Sequence, residues 1–249
     1  MPNTSIQVLL VDDDPNEYKL IQALLEKSTE ASYQLDWESS YQNAVNAILT
    51  NHYDVCLIDD KLDDKTGLEL VQEVISKGSS QPLIMLTGTP KNEGEDTSLP
   101  SGAEDYLNKE HIGLLHTTNV MDAIRTEVGT PLLESTIRHA LIRHAIRKEL
   151  SHAISLSHCL ISSSVDMIIS VDKNRRISEF NPAAEKTFGY TREEVIGKKV
   201  NILYQDTQAG NQIHQVVSDT GIFSAEAINK RKNGETFTTQ ISSSALRNG

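Results

Sequence analysis

Four places in the 249-residue chain put reactive side chains just past segments that read as strands, three of them apolar runs. Asp12, Asp13 and Asp14 follow residues 6–11, Asp59 and Asp60 follow residues 55–58, Thr87 follows residues 83–86, and Lys109 closely follows residues 105–107. Three or four carboxylates brought together repel one another and favour a bound cation. Hard oxygen donors with room for water suit Mg2+, which takes octahedral geometry at roughly 2.0–2.1 Å. A lysine and a threonine hydroxyl beside such a metal can hold phosphoryl oxygens. A carboxylate next to the metal can attack phosphorus and become an aspartyl phosphate. Each residue alone has an ordinary reading. Asp-Asp-Asp is a common solvated turn, Lys109 a surface lysine, and Thr87 a strand-end or capping residue. Their shared position past segments that read as strands is what argues for chemistry.

The elements that must position these residues alternate along the chain. A continuous apolar run without polar alternation suits a parallel strand buried on both faces. Strands are predicted at 6–11, 55–58 and 83–86, with shorter ones at 33–38 and 105–107. Between them, Tyr18, Leu20, Ile21, Leu24 and Leu25 have helical spacing behind an Asp14-Pro15 start signal. Ala44, Val45, Ile48 and Leu49 mark a second helix, and Leu68, Leu70, Val71, Val74 and Ile75 a third, opened by Gly67. Such alternation implies a parallel sheet with right-handed crossovers. Ligands in these sheets sit beyond the carboxyl ends of the strands. Asp12, Asp13, Asp14, Asp59, Thr87 and Lys109 are therefore expected on one rim. Residues 90–101 hold Gly94, Pro100 and a single apolar residue, Leu99. They are expected to be a loop or a frayed turn, since glycine and proline both disfavour a helix interior. Residues 111–130 read as an insertion with a short helix near 120–128.

Residues 1–110 resemble the receiver domain of two-component response regulators. The resemblance rests on VLLVDDDP, YDVCLIDDKLDDKTGLEL, PLIMLTG and GAEDYLNKE. It implies a flavodoxin-like, doubly wound α/β fold with a five-stranded parallel sheet and a weak or absent fourth helix. It implies that Asp59 is the phosphoacceptor and that Mg2+ is the cofactor. The metal ligands carried over are Asp12, Asp13, Asp59 and the backbone carbonyl of Lys61, with Asp13 favoured as the direct ligand of the pair. Thr87 and Lys109 match the phosphoryl-binding threonine and lysine, and Thr87 with Tyr106 the conformational switch. The partner implied is a cognate histidine kinase or phosphotransfer protein.

After Pro131 there is no glycine or proline through Ser162. Ile137, Leu141, Ile142, Ala145, Ile146, Leu150, Ala153, Ile154 and Leu160 form a wide apolar face. The spacing 146, 150, 153, 157, 160 is heptad-like, with Ser157 at one seam position. One long helix, or two nearly continuous ones, is expected over 131–160, with a homodimer seam. The alternative is a last receiver helix followed by a separate helix. His139, His144, His152 and His158 read as solvated residues.

In residues 161–249, strands are predicted at 167–171, 176–180, 222–231 and 236–246. Short helices fit 183–188 and 192–196, and a longer one 207–218, ended at Gly221. Asn233-Gly234 gives a hairpin signal. This segment resembles a PAS domain through SSVDMIISVDKNRRISEFNPAAEKTFGYTREEVIGKK and NKRKNGETFTTQISSSAL. The resemblance implies an α+β fold with an antiparallel sheet, truncated here before its last strand. No cysteine falls at the flavin-linking position, and His214 is out of register with a haem ligand, so no PAS cofactor is expected. Phe180, Phe188, Tyr190 and Phe223 are expected in the core.

Composition narrows the function. The chain has 23 Lys+Arg against 35 Asp+Glu, a net charge of −12. Residues 1–130 carry 8 basic and 23 acidic side chains, and residues 131–249 carry 15 and 12. This balance disfavours nucleic-acid or anionic-membrane binding by the whole chain. No apolar run approaches the ~20 residues of a membrane span, and the N-terminus lacks the basic start of a signal peptide. Two cysteines without metal spacing suit a cytoplasmic location. The expected layout is a receiver at 1–130, a helical linker at 131–160 and an incomplete PAS domain at 161–249. The expected function is phosphorelay signalling: phosphorylation of Asp59 alters the linker and, through it, the PAS domain. No catalysis is expected from this chain. Two alternatives stay open. The chain could be the regulatory head of a histidine kinase or a cyclic-di-GMP enzyme with its catalytic domain beyond Gly249, or an unphosphorylated dimerisation module.

Overall fold

A computed structural model describes residues 5–62, 65–88, 102–113 and 129–245. The expectations for residues 90–101 and for a helix near 120–128 lie outside the described residues. The chain divides into two compact units, residues 1–150 and 151–249.

The first unit holds β1 (Ile6–Val11), α1 (Pro15–Glu26), β2 (Tyr33–Glu38), α2 (Tyr41–Thr50) and β3 (Val55–Asp59). A short hairpin follows, β4 (Lys61–Leu62) with β5 (Lys65–Thr66), then α3 (Gly67–Ser76), β6 (Leu83–Thr87) and β7 (Asp105–Asn108). The five long strands form one parallel sheet in the order β2-β1-β3-β6-β7. This is the doubly wound order whose switch point lies between β1 and β3. Alternate residues of each buried strand serve opposite faces. Val8, Leu10, Leu57 and Leu86 pack with α1, while Leu9, Val11, Ile58 and Met85 pack with α2 and α3. The 61–66 hairpin was not anticipated, because two-residue strands carry no periodicity to read.

Helix starts are set by side-chain caps, which satisfy amides that have no partner within the helix. Asp14 Oδ1 accepts the Asn16 amide at 2.8 Å, with Pro15 at the first helical position. Thr66 and Glu69 form a capping box for α3. Gly67 is required by contact: a Cβ there would lie 1.9 Å from the Asp59 carbonyl oxygen. Its backbone N–H donates to the Asp60 carbonyl at 3.0 Å, which fixes the chain just beyond β3.

A single helix, α4, runs from Gly129 to Ser163. Leu133, Ile137 and Ala140 are buried in the first unit's core, and Arg138 pairs with Glu30. Beyond Ala140 the grip becomes ionic. Arg143 lies 2.5 Å from the Asp105 carboxylate and donates to the Glu104 carbonyl at 3.2 Å. Arg147 gives both terminal nitrogens to the buried Glu104 carboxylate, at 2.5 and 2.9 Å. Further along, Ile146, Leu150, Ile154 and Leu160 are each at least half exposed. Among the described residues no helix is long and apolar enough to cross a membrane.

In the second unit, β8 (Ile169–Val171) pairs antiparallel with β9 (Ile177–Phe180), and β10 (Ile222–Lys230) with β11 (Thr236–Ser244). Between the pairs lie α5 (Pro182–Phe188), α6 (Arg192–Val195), a 3-10 turn (Val200–Leu203) and α7 (Thr207–Thr220). The core is Ile177, Phe180, Ala184, Phe188, Val195 and Leu203, with Tyr190 and Phe237 packed against it. Phe223, expected there too, is only half-buried and lies outside that cluster. Asn181 is 1% exposed and uses its whole side-chain amide. Its Oδ1 accepts the amides of Ile168 and Ala184, at 2.9 and 3.0 Å. Its Nδ2 donates to the carbonyls of Ile161 and Asp166, at 3.1 and 2.9 Å.

Candidate functional site

The rim at the carboxyl ends of β1, β3 and β7 carries a buried ionic cluster. Asp12 is the first residue past β1, Asp59 the last of β3, and Lys109 the first past β7. Asp12, Asp59 and Lys109 are all buried. The Lys109 amide donates to the Thr87 carbonyl at 2.8 Å, which ties the lysine to the end of β6. Its Nζ is ion-paired with Asp59 Oδ1, lies 2.5 Å from Glu17 Oε2, and lies 3.5 Å from Asp12 Oδ2. Asp12 is fixed from two sides. Its Oδ1 accepts the Asp14 amide at 2.9 Å. Its carbonyl accepts the indole N–H of Trp37, the sole tryptophan, at 2.7 Å. The Trp37 ring stacks on Tyr18 with centroids 4.8 Å apart.

Three carboxylates share one ammonium here, and the titration of the groups reflects it. Burial, reinforced by the neighbouring Glu17 carboxyl, pushes Asp12 up to about 7 against the pull of Lys109. Burial also pushes Asp59 up to about 6, again opposed by Lys109. Burial disfavours the Lys109 charge, but the hydrogen bonds to Asp59 and Glu17 outweigh it and hold the ammonium above its ordinary value. The site therefore has spare negative charge near neutral pH. Carboxylate oxygens of Asp12, Glu17 and Asp59 all lie within 4.8 Å of one another. Such a hard-oxygen, electron-rich donor set fits a small divalent cation.

The other residues singled out by the sequence fall as follows. Asp13 is exposed and is not among the carboxylates gathered within 4.8 Å. Asp14 is committed to capping α1. Lys61 lies on β4 with an exposed side chain, opposite Thr66. Thr87 ends β6, half-buried and opposite Asn108. Tyr106 is half-buried on β7 and packs against the core beneath α2 and α3. Glu17 sits on the first turn of α1 and not at a strand end, so the strand-end pattern does not point to it. Its signal was available: a carboxylate one turn past the aspartate run, on a helix that the same run caps.

Residues 8–118 match the family described as response regulator receiver domain, and residues 158–249 match PAS fold. Among curated relatives, the transcriptional regulatory protein DltR of Streptococcus agalactiae is 31% identical over 104 residues, 42% of this chain and 45% of that protein. The transcriptional regulatory protein RprY of Bacteroides fragilis is 32% identical over 105 residues, 42% of this chain and 43% of that protein. The chain thus spans under half the length of these relatives. Among solved structures, a CheY-like receiver domain from Methanospirillum hungatei is 23% identical with a TM-score of 0.42, covering 58% of this chain and 99% of that one. The PAS domain of a Colwellia psychrerythraea protein is 23% identical with a TM-score of 0.34, covering 35% of this chain and 77% of that one. The chain carries a response regulator receiver domain followed by a PAS domain.

Proposed function

We propose that Asp59 is the phosphoacceptor of a Mg2+-dependent phosphorelay and that α4 carries the change toward the PAS domain. The observation that supports this most is the reach of the buried Lys109 ammonium across the rim to both Asp59 and Asp12. Asp12, Asp13, Asp59 and the Lys61 carbonyl would hold the metal. When bound, Mg2+ would neutralise charge on the phosphoryl oxygens. The rest falls to the chain. An Asp59 carboxylate oxygen bonds to phosphorus as the bond from phosphorus to the donor's leaving atom breaks, and the leaving group keeps that electron pair. Lys109 pairs with one phosphoryl oxygen and the Thr87 hydroxyl donates to another. Thr87 is thereby drawn inward, and Tyr106 follows. Receiver domains interact with histidine kinases or phosphotransfer proteins, and the donor proposed here is a cognate one in the cytoplasm.

In the test, acetyl phosphate and Mg2+ are added and the intact mass is read. Wild type is expected to gain one phosphoryl group and Asp59→Asn none. A wild type that gains nothing, or a variant that still gains it, refutes the assignment.

The exposed stripe at Ile146, Leu150, Ile154 and Leu160 supports a homodimer seam along α4. Burying a leucine is worth about 1.5–3 kcal/mol. Leu150→Glu is therefore expected to weaken the dimer at least about tenfold in sedimentation equilibrium. An unchanged association constant would place the dimer contact elsewhere.

A further inference from the structure

Glu17 lies close enough to Asp12 and Asp59 to border a cation, but it is outside the proposed set of Asp12, Asp13, Asp59 and the Lys61 carbonyl and has no task in phosphoryl transfer. Its Oε2 lies 2.5 Å from Lys109 Nζ, closer than the Asp12 oxygen at 3.5 Å. The Glu17 side chain is 17% exposed and that of Lys109 is 6%, so water screens the pair only in part. Pro15 at the first helical position and the Asp14 cap fix the turn that carries Glu17. The carboxylate is thus presented to the rim by the start of α1. Lys109 must hold a phosphoryl oxygen once Asp59 is modified. An incoming anion therefore meets a lysine already engaged by a carboxylate that takes no part in phosphoryl transfer.

We propose that Glu17 is a positioning residue, the resting-state counter-ion of Lys109, which competes with the phosphoryl group for the ammonium and so raises the threshold for activation. It acts through Lys109 and needs no contact with phosphorus. Charge supports this role. The carboxyl groups of Asp12, Glu17 and Asp59 face one ammonium, and the arriving phosphoryl adds further negative charge. A neutral isostere at position 17 removes one repulsive charge and frees one donor of Lys109. Coulombic interaction at this range in a partly screened site is worth up to a few factors of ten. Salt and solvent access reduce that to an expected change of about three- to tenfold.

The inference rests on the phosphoacceptor reading, and one experiment tests the two separately. Beryllofluoride, a phosphoryl mimic, is titrated at saturating Mg2+ into wild type, Asp59→Asn, Glu17→Gln, Glu17→Asp and Glu26→Gln. Trp37 fluorescence reports binding, since its indole N–H is bonded to the Asp12 carbonyl. Glu17→Gln is expected to bind about three- to tenfold tighter, and Glu17→Asp to return toward the wild-type value. Glu26→Gln removes an exposed charge at the far end of the same helix and is expected to leave the affinity unchanged. A merely structural role would weaken binding or leave it alone, so tighter binding that aspartate reverses supports the counter-ion role. If wild type binds but Glu17→Gln binds equally or more weakly, the counter-ion role is overturned while the phosphoacceptor reading stands. If wild type shows no Asp59-dependent binding, both fall.

Discussion

Lys109→Met is expected to destabilise the metal-free receiver by about 3–5 kcal/mol at pH 8, the range seen when one partner of a buried ion pair is removed. The ammonium is buried and faces three carboxylates, and methionine fills similar space while leaving their charges opposed by nothing. The deficit has a direction in pH. The folded protein already holds Asp12 at about 7 and Asp59 at about 6, mainly through burial, against about 3.9 for an unfolded aspartate. Between about pH 4 and 7 the folded state therefore binds more protons than the unfolded one, so these two groups lower stability as pH rises through that window. Loss of Lys109 removes the influence that pulls both groups down, so both move further up. The gap between variant and wild type is expected to be widest at pH 8 and to narrow toward pH 5. Chemical denaturation followed at Trp37 measures it. A gap independent of pH would mean that Lys109 contributes packing and no charge balance. Adding Mg2+ at pH 8 is expected to restore part of the loss.

Asn181→Leu is expected to cost the PAS unit about 3 kcal/mol or more. The side chain is almost wholly buried and makes four hydrogen bonds. Leucine matches its shape but leaves the amides of Ile168 and Ala184 and the carbonyl of Ile161 without that partner, while the Asp166 carbonyl keeps the Ser164 hydroxyl at 3.2 Å. Each unmade buried bond costs about 1–3 kcal/mol. The amide of Ala184 lies at the start of α5 and the carbonyl of Ile161 near the end of α4, so one substitution loosens both helix termini. Hydrogen exchange is expected to accelerate at residues 166–188 while the amides of β1 and β3 keep their protection. Unchanged exchange around Ala184 would refute the account. Asn181→Asp is expected to be no milder: it keeps the acceptors but turns a second carboxylate oxygen toward the two carbonyls.

The receiver was legible from sequence to the extent that its chemistry follows strand ends. The apolar runs before Asp12, Asp59 and Thr87 place those residues at the ends of β1, β3 and β6, because a buried parallel strand must shed its polar groups where the chain leaves the sheet. Boundaries moved by a residue where a polar side chain still pairs in the ladder: Asp59 and Thr87 belong to their strands, opposite Leu86 and Asn108. Glu17 is legible only as a carboxylate one turn past the aspartate run, and Glu104 not at all. Their importance comes from arginines and lysines nearly a hundred or about forty residues away, and no local pattern records that. Asn181 sits in a quoted motif, but its four partners come from 161, 166, 168 and 184, a convergence that only the folded chain reveals. The hairpin at 61–66 and the 3-10 turn at Val200–Leu203 are too short for any period to show.

The manner in which α4 is fastened gives the receiver a graded release. Up to Ala140 the attachment is mainly apolar, with the exposed Arg138–Glu30 pair as its one salt-sensitive contact among those described. Past it, Arg143 and Arg147 are two successive rungs, each clasping an acid just before Tyr106. A pull arriving from the carboxyl end of the helix reaches Arg147 first, then Arg143, and only afterwards the hydrophobic seat of Ile137 and Leu133. Rungs of this kind yield to ionic strength, although the burial of Glu104 protects the outer one in part. The free length of the helix is therefore a variable that solvent and load can adjust one turn at a time, while the sheet beneath stays whole.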